Sequence, residues 1–346
     1  MTLSLPELIE TEAQLEQLLT TPSPALVEFI KTVHGPLLVL GAGGKMGPTL
    51  AVLARRAAEA AGQKLDVIAV SRFTDAQSRK SLEASGVQTF ACDLLDTRAV
   101  AGLPESASIL YLVGLKFGTA QNPGATWAMN TIVPARVMER FRDARIVALS
   151  TGNVYPFSEV SRGGSVETDP LTPLGEYANA AVGRERLFEF YSRAQGTPVT
   201  RLRLFYAVEL RYGVLVDIAQ KVHRGEAIDL ANGHFNCIWQ GDANDMAIRS
   251  LSLCASPATA WNLCRPEVFS VREVANRLGA LLDKRPQFQG TEATTALLGN
   301  ARPLCARLGE PTVKLEPMLR WIANWVRQGG RNLGRPTHFE VRDGTY

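Results

Sequence analysis

The 346-residue sequence has little excess charge of either sign. Its 37 Lys and Arg against 34 Asp and Glu leave a formal net charge of +3. That is too small to draw the chain onto nucleic acid or an anionic membrane. No apolar run approaches the roughly 20 residues of a membrane helix. The longest, Pro36–Ala42 and Arg145–Leu149, are of strand length. The stretch MTLSLPELIETEAQ is acidic and lacks the basic and apolar regions of a signal peptide. There are only five cysteines, Cys92, Cys237, Cys254, Cys264 and Cys305, an odd number with no CxxC pair. The four histidines, His34, His223, His234 and His338, are scattered. Zinc-type spacing is therefore absent, no metal is expected, and a reducing cytoplasm is the expected compartment.

What is present suits a globular protein. Hydrophobic residues make up 46% of the chain, enough for a sizeable core. The length suggests about two domains, or one large α/β domain with an added lobe.

Residues 1–34 read as a helical extension. Leu8, Ile9, Leu15, Leu18 and Leu19 recur at helical spacing. Ser23 and Pro24 read as N-cap and first helical residue of a second helix over 25–33. From Pro36 onward strands and helices alternate. LLVLGAGG, LDVIAV, VQTFACD, SILYLVG and RIVALS read as strands, most of them continuously apolar. Between them lie helical stretches such as MGPTLAVLARRAAEAAG and ATWAMNTIVPARVMERF. Apolar strands in such alternation predict a doubly wound, Rossmann-type parallel sheet covered on both faces. Pro134 should kink its helix or lie near its first turn. Residues 35–205 are assigned to this domain. Residues 206–330 are assigned mainly to a smaller C-terminal α/β substrate lobe, with some return to the sheet. Residues 331–346 form a polar tail that is either disordered or wrapped on the body.

The loop Gly41-Ala42-Gly43-Gly44-Lys45-Met46-Gly47 joins a strand to a helix. Glycines at 41, 44 and 47 permit a tight turn and a close approach of backbone to a pyrophosphate. The following helix N-terminus offers N–H groups and a partial positive charge. The second strand runs into Ser71-Arg72 rather than an acidic residue. The planar fork of an arginine there suits a 2′-phosphate, which favours NADP over NAD.

The chain resembles the extended short-chain dehydrogenase/reductase superfamily, in its NAD-dependent epimerase/dehydratase branch. Gly41, Gly44 and Gly47 match its GxxGxxG. Cys92-Asp93-Leu94 resembles its adenine-holding pair. Leu112-Val113-Gly114-Leu115-Lys116 resembles its segment after the fourth strand, and Asn130 its helix asparagine. Ser150-Thr151-Gly152-Asn153-Val154-Tyr155 resembles its S-S/T-x-x-VY motif, Tyr177 its catalytic tyrosine, and Arg203-Leu204-Phe205 its strand towards the nicotinamide. The resemblance implies cofactor binding by Gly41, Gly44, Lys45, Met46, Gly47, Ser71, Arg72, Asp93, Leu94, Leu112, Val113, Gly114, Lys116, Asn130, Tyr177 and Phe205. It also implies a sugar-like substrate, a nucleotide sugar in many members, and a homodimer.

The family motif is Tyr-x-x-x-Lys, but Ala181 stands at the lysine position. An unperturbed tyrosine titrates near about 10 and is a poor base at neutral pH without help. Lys116 is the favoured substitute cation. Arg184, two helical turns beyond Tyr177, would have to reach back roughly 10 Å of helix rise. Dehydratases of the family carry an Asp-Glu pair after the threonine; Gly152 and Asn153 stand there instead, which speaks against 4,6-dehydration. The expected function is an NAD(P)-dependent epimerase or oxidoreductase acting at a carbinol carbon, with Tyr177, Thr151 and Lys116 catalytic. The alternative is a Rossmann protein that senses cofactor without turnover.

Overall fold

The structure is a computed structural model and describes residues 5–115, 121–335 and 337–344. Seven strands form one parallel sheet: β1 (Leu37–Leu40), β2 (Val67–Ser71), β3 (Gln88–Ala91), β4 (Ser108–Tyr111), β5 (Arg145–Thr151), β6 (Val199–Leu204) and β7 (Thr259–Leu263). Their order across the sheet is β7-β6-β5-β4-β1-β2-β3. Leu37 of β1 pairs with Val67 on one side and Ser108 on the other. The strand order therefore reverses between β1 and β4, and ligands of such sheets bind in the crevice at that reversal.

The strands are apolar throughout because both faces are covered. Leu37 and Val39 of β1 face one layer, with Leu50 and Ala54 of α3 (Gly47–Ala60). Leu38 and Leu40 face the other, with Val133 and Val137 of α6 (Pro123–Arg140) and Phe188 of α7 (Glu176–Gln195). Successive side chains point to opposite faces, so one apolar run feeds two cores. Helix α6 runs through Pro134, which sits buried in its second half rather than near its first turn.

A separate core belongs to the C-terminal lobe. It joins α8 (Val214–Arg224), α10 (Val271–Leu282) and α12 (Leu315–Arg327), with Trp239 edge-on to Trp321 at 5.4 Å between ring centres. Strand β7 returns from the lobe side of the sequence to the edge of the main sheet, pairing Leu263 with Leu204. The N-terminal helices divide between the two cores. α1 (Glu12–Leu19) buries Leu15 and Leu19 in the lobe core. α2 (Pro24–Ile30), capped by the Ser23 hydroxyl at 3.0 Å from the Leu26 N–H, buries Leu26 and Ile30 against α3.

The tail wraps the body. Phe339 is buried in the lobe core. Arg342 donates to the carbonyls of Ala231 and Thr295, to Asn232 Oδ1 and to Thr295 Oγ1. Gly344 lies so close to Gly175, just ahead of α7, that a Cβ on Gly175 would collide with the Gly344 carbonyl.

Candidate active site

The chain leaves β1 through Gly41, at φ +83°, where a Cβ would sit 3.0 Å from the Val113 backbone nitrogen. Gly47 opens α3 with its Cα so near the loop that a Cβ would lie 2.5–2.7 Å from the Ala42 backbone. Backbone thus meets backbone across this turn, which only glycine allows. No side chain caps the first turn of α3, so its N–H groups remain for a ligand. Lys45 leans away from the loop towards the lobe. Its Nζ donates to the Ala207 carbonyl at 2.8 Å and lies 4.2 Å from the centre of the Tyr212 ring.

A cavity of about 280 Å³ extends from this loop along the ends of β4, β5 and β6. Gly41, Gly44, Lys45, Met46 and Gly47 form one end of its wall. Leu112, Gly114, Thr151, Tyr177 and Phe205 continue it. Ser71, Arg72, Asp93, Leu94, Val113 and Asn130 stand off that wall. Ser71 lies beneath the glycine loop, where a Cβ on Gly43 would come 2.5 Å from its hydroxyl oxygen. Arg72 is exposed on the turn after β2. Asp93 Oδ1 accepts the Leu95 N–H at 2.9 Å. Lys116 lies outside the described residues.

Thr151 ends β5. Its Oγ1 accepts the Asn153 N–H at 3.2 Å and donates to Asn153 Oδ1 at 3.1 Å. Tyr177 is on the first turn of α7, with 8% of its surface exposed. One turn on, Ala181 is fully buried in an apolar cluster with Tyr155, Phe205 and Leu297. Phe205 is pinned there: Cβ atoms on Gly152 or Gly299 would each collide with its ring, and the ring stacks on Tyr155 at 6.3 Å. The lysine position of the resembled motif is thus a piece of packing.

Arg184, two turns beyond Tyr177, does reach the cavity wall. Its Nη1 donates to the Val113 carbonyl at 3.0 Å and to Asn130 Oδ1 at 2.9 Å. Asn130, fully buried, stands behind it and fixes its own amide on the Thr126 carbonyl at 2.8 Å. Beside Arg184, Glu185 turns to the other side of α7. It accepts the Ser150 hydroxyl at 2.6 Å and pairs with Arg203 at 2.8 Å and Arg201 at 3.6 Å. Burial alone would raise the Glu185 carboxyl, but the Arg203 bond and charge, with Arg201 and Ser150, hold it below its ordinary value. Arg203 also donates to the Tyr155 hydroxyl, whose phenol is pushed up to about 12, chiefly by burial. Arg201 and Arg203 are thus committed to a buried carboxylate.

Sequence reasoning missed the lobe side of the cavity. Tyr206, Tyr212, Gly213, Leu297 and Thr337 line it, but they lie in segments without a recognisable motif. A second cavity of about 80 Å³ adjoins, sharing Asn153, Tyr206 and Leu297 and walled by Val341, Arg342 and Gly344 of the tail. Among the described residues no Asp or Glu lines the main cavity, and no group of three His, Cys, Asp or Glu could hold a metal. No helix among them is long and apolar enough to cross a membrane.

A parallel sheet reversing at β1 and β4, with a glycine turn into α3 beside that reversal, defines a Rossmann-type α/β protein. The chain belongs to the NAD dependent epimerase/dehydratase family, whose model matches residues 37–234. No curated protein matches it. Among solved structures it resembles the UDP-glucose 4-epimerase of Thermus thermophilus in complex with NAD, at 19% identity and a TM-score of 0.68, covering 84% of this chain and 99% of that one. The UDP-glucose 4-epimerase of Thermotoga maritima with UDP-glucose gives 17% identity and a TM-score of 0.67, covering 85% and 99%. DesIV, a dTDP-glucose 4,6-dehydratase from Streptomyces venezuelae with NAD bound, gives 18% and 0.69, covering 85% and 97%. At these identities the likeness is one of fold.

Proposed function

We propose that the chain binds a nicotinamide dinucleotide along the main cavity and acts on a carbinol carbon of a sugar-like substrate, as an epimerase or oxidoreductase. One observation carries the reading: Tyr177 and Thr151 share a single cavity wall with the glycine turn. The residues present fit the cofactor. The backbone at Gly41 and Gly47 is cleared of Cβ atoms where phosphates would approach, and α3 has no side-chain cap. The solved relatives described with NAD support the same class of cofactor. Arg72, exposed beyond β2, supports NADP over NAD, since its fork matches a 2′-phosphate.

When bound, the cofactor supplies a centre that takes up and returns hydride. The chain's own residues do the rest. Tyr177 takes the proton of the reacting hydroxyl and returns it. Thr151 orients that hydroxyl, its own position fixed by Asn153. The glycine turn and the uncapped N-terminus of α3 hold the phosphates. Lys116 is proposed as a further cation near the phenol. With no carboxylate among the described residues of the wall, proton exchange by a second acid has no obvious donor, which supports epimerisation or redox chemistry over 4,6-dehydration. The relatives described with UDP-glucose or as a dTDP-glucose dehydratase support a sugar, nucleotide-linked or not. Exposed Trp127 and Ile132 on α6 and Phe190 on α7 support a homodimer through these paired helices. The five free cysteines fit a reducing cytoplasm.

One observation favours the second reading, a cofactor sensor: Ala181 is locked into apolar packing, with no cation at that position. Fluorescence titration with NADP and NAD tests the shared premise. Following cofactor absorbance over a panel of sugars and nucleotide sugars then separates enzyme from sensor. Absence of binding by either dinucleotide overturns both.

A further inference from the structure

Arg184 stands out among the charged groups of the fold. Its residue exposure is 4%, yet it lines the main cavity. Among the described residues the hydrogen-bond partners of its guanidinium are both neutral, the Val113 carbonyl and Asn130 Oδ1, and both are met by Nη1. Nε is buried with no hydrogen-bond acceptor among the described residues. Glu185, next along the helix, is fully engaged by Arg203, Arg201 and Ser150. A buried charge that lacks a counter-ion is costly, and a structure keeps one where it meets a ligand.

The place along the sheet says which part of the ligand that is. A pyrophosphate on the α3 N-terminus splits a dinucleotide into two halves. One half lies towards β2, where Ser71 and Arg72 stand. The other lies towards β4 and β5. Arg184 is on that second side. Its guanidinium presses on Gly114 just past β4, where a Cβ would come 2.5 Å from Nη1, and it shares the wall with Ser150 and Thr151. That half carries ribose hydroxyls, which accept hydrogen bonds, and a ring that is positive when oxidised and neutral when reduced.

Resting on the dinucleotide reading above, we propose that Arg184 is the cation that holds the nicotinamide half of the bound cofactor and favours its reduced form. Asn130 and the Val113 carbonyl are the groups that fix it in place. Two effects follow from one side chain: the guanidinium donates to ribose oxygens, and the fixed charge repels the oxidised ring. The other charge on the described wall, Lys45, sits at the glycine turn and is drawn to Ala207 and Tyr212, so it does not duplicate the role.

The test is calorimetry of the cofactor-free chain with NADPH, NADP and ADP. ADP lacks the half that Arg184 is said to hold. Arg184→Gln should weaken NADPH about tenfold or more, equivalent to about 1.4 kcal/mol, and leave ADP within about twofold of the unaltered chain. It should also bring the NADP and NADPH affinities together, whereas Arg184→Lys should keep them apart. Equal losses for ADP and NADPH would mark a structural role and overturn the proposal, as would unchanged NADPH binding. If the unaltered chain binds neither dinucleotide, the dinucleotide reading itself fails. Should Arg184→Gln not fold, the Arg184 Nε–H resonance of the unaltered chain, assigned by its loss in Arg184→Lys, decides. It should move with NADPH and stay still with ADP; no movement with NADPH overturns the proposal.

Discussion

Thr337 and Asp217 are joined twice: the backbone N–H and the hydroxyl of Thr337 both donate to one Asp217 oxygen, at 2.8 and 2.6 Å. The pair ties the tail to α8 and sets Thr337 on the wall of the main cavity. Burial raises the Asp217 carboxyl, against the lowering effect of these two bonds. Thr337→Val removes the hydroxyl donor to a mostly buried acid. The loss should be about 1.5–3 kcal/mol of local tail docking, read as faster amide exchange over residues 337–344. Unchanged exchange there would show that the other tail contacts, those of Arg342, Phe339 and Asn232 among them, hold the strap.

Glu185 is the counter-ion for two buried arginines. Removing a partner from a buried ion pair leaves an uncompensated charge and costs about 3–5 kcal/mol. Glu185→Gln should therefore lower the melting temperature by several degrees or more. Arg203→Met with Glu185→Met should recover part of that loss, since Arg203 no longer stands as an uncompensated charge and Arg201 keeps Glu189 at 3.6 Å. A melting point for Glu185→Gln equal to that of the unaltered chain would contradict the network.

Asp242 of α9 (Gln240–Arg249) accepts the Val313 N–H at 2.8 Å, and burial pushes its carboxyl up to about 6. The folded state therefore holds this proton more tightly than the unfolded chain does. Its ionisation costs stability as pH rises from about 4 to about 6, and the full cost is present above that window, on the order of 3 kcal/mol. Asp242→Asn keeps an acceptor for Val313 and should flatten this part of the melting temperature against pH. A slope unaffected by the substitution would remove Asp242 from the account.

The sheet was legible because its strands are apolar on both faces, so a run such as LLVL carries its own layer assignment. The glycine turn was legible because Gly41 and Gly47 answer local backbone demands. Arg184 was harder to place. Two turns from Tyr177, it is brought to the wall by a long side chain and by acceptors from Val113 and Asn130, more than 50 positions away in sequence. The tail was illegible for the same reason. It has no periodic apolar face, and what fixes it are single polar groups on Asp217, Asn232 and Thr295. Pro134 lies in the second half of α6 rather than near its first turn, and α6 continues through it against α7.

Arg72 should set the choice between the two dinucleotides. Arg72→Ala should weaken NADP by about tenfold, the scale of a lost charge-assisted pair at a partly exposed site, and leave NAD within about twofold. Competitive fluorescence titration gives both constants on one sample. A chain that binds NAD more tightly than NADP before any substitution would reverse the assignment.

Tyr177 is the proton-handling group in the proposed chemistry, and its removal should separate binding from turnover. The phenol lines the cavity from the first turn of α7, a different segment from the phosphate-holding turn. Tyr177→Phe keeps the ring, so cofactor affinity should stay within about threefold. Turnover should fall about 100- to 10,000-fold, the range for a lost general acid–base group. Thr151→Val should cost less, because it orients the hydroxyl and transfers no proton. Lys116→Ala supplies the contrast. If that substitution abolishes turnover while Tyr177→Phe leaves it within about twofold, the lysine is the base and the role given to Tyr177 is wrong. If Tyr177→Phe lowers both affinity and turnover by the same factor, the phenol binds ligand without moving the proton, and the sensor reading gains its first direct support.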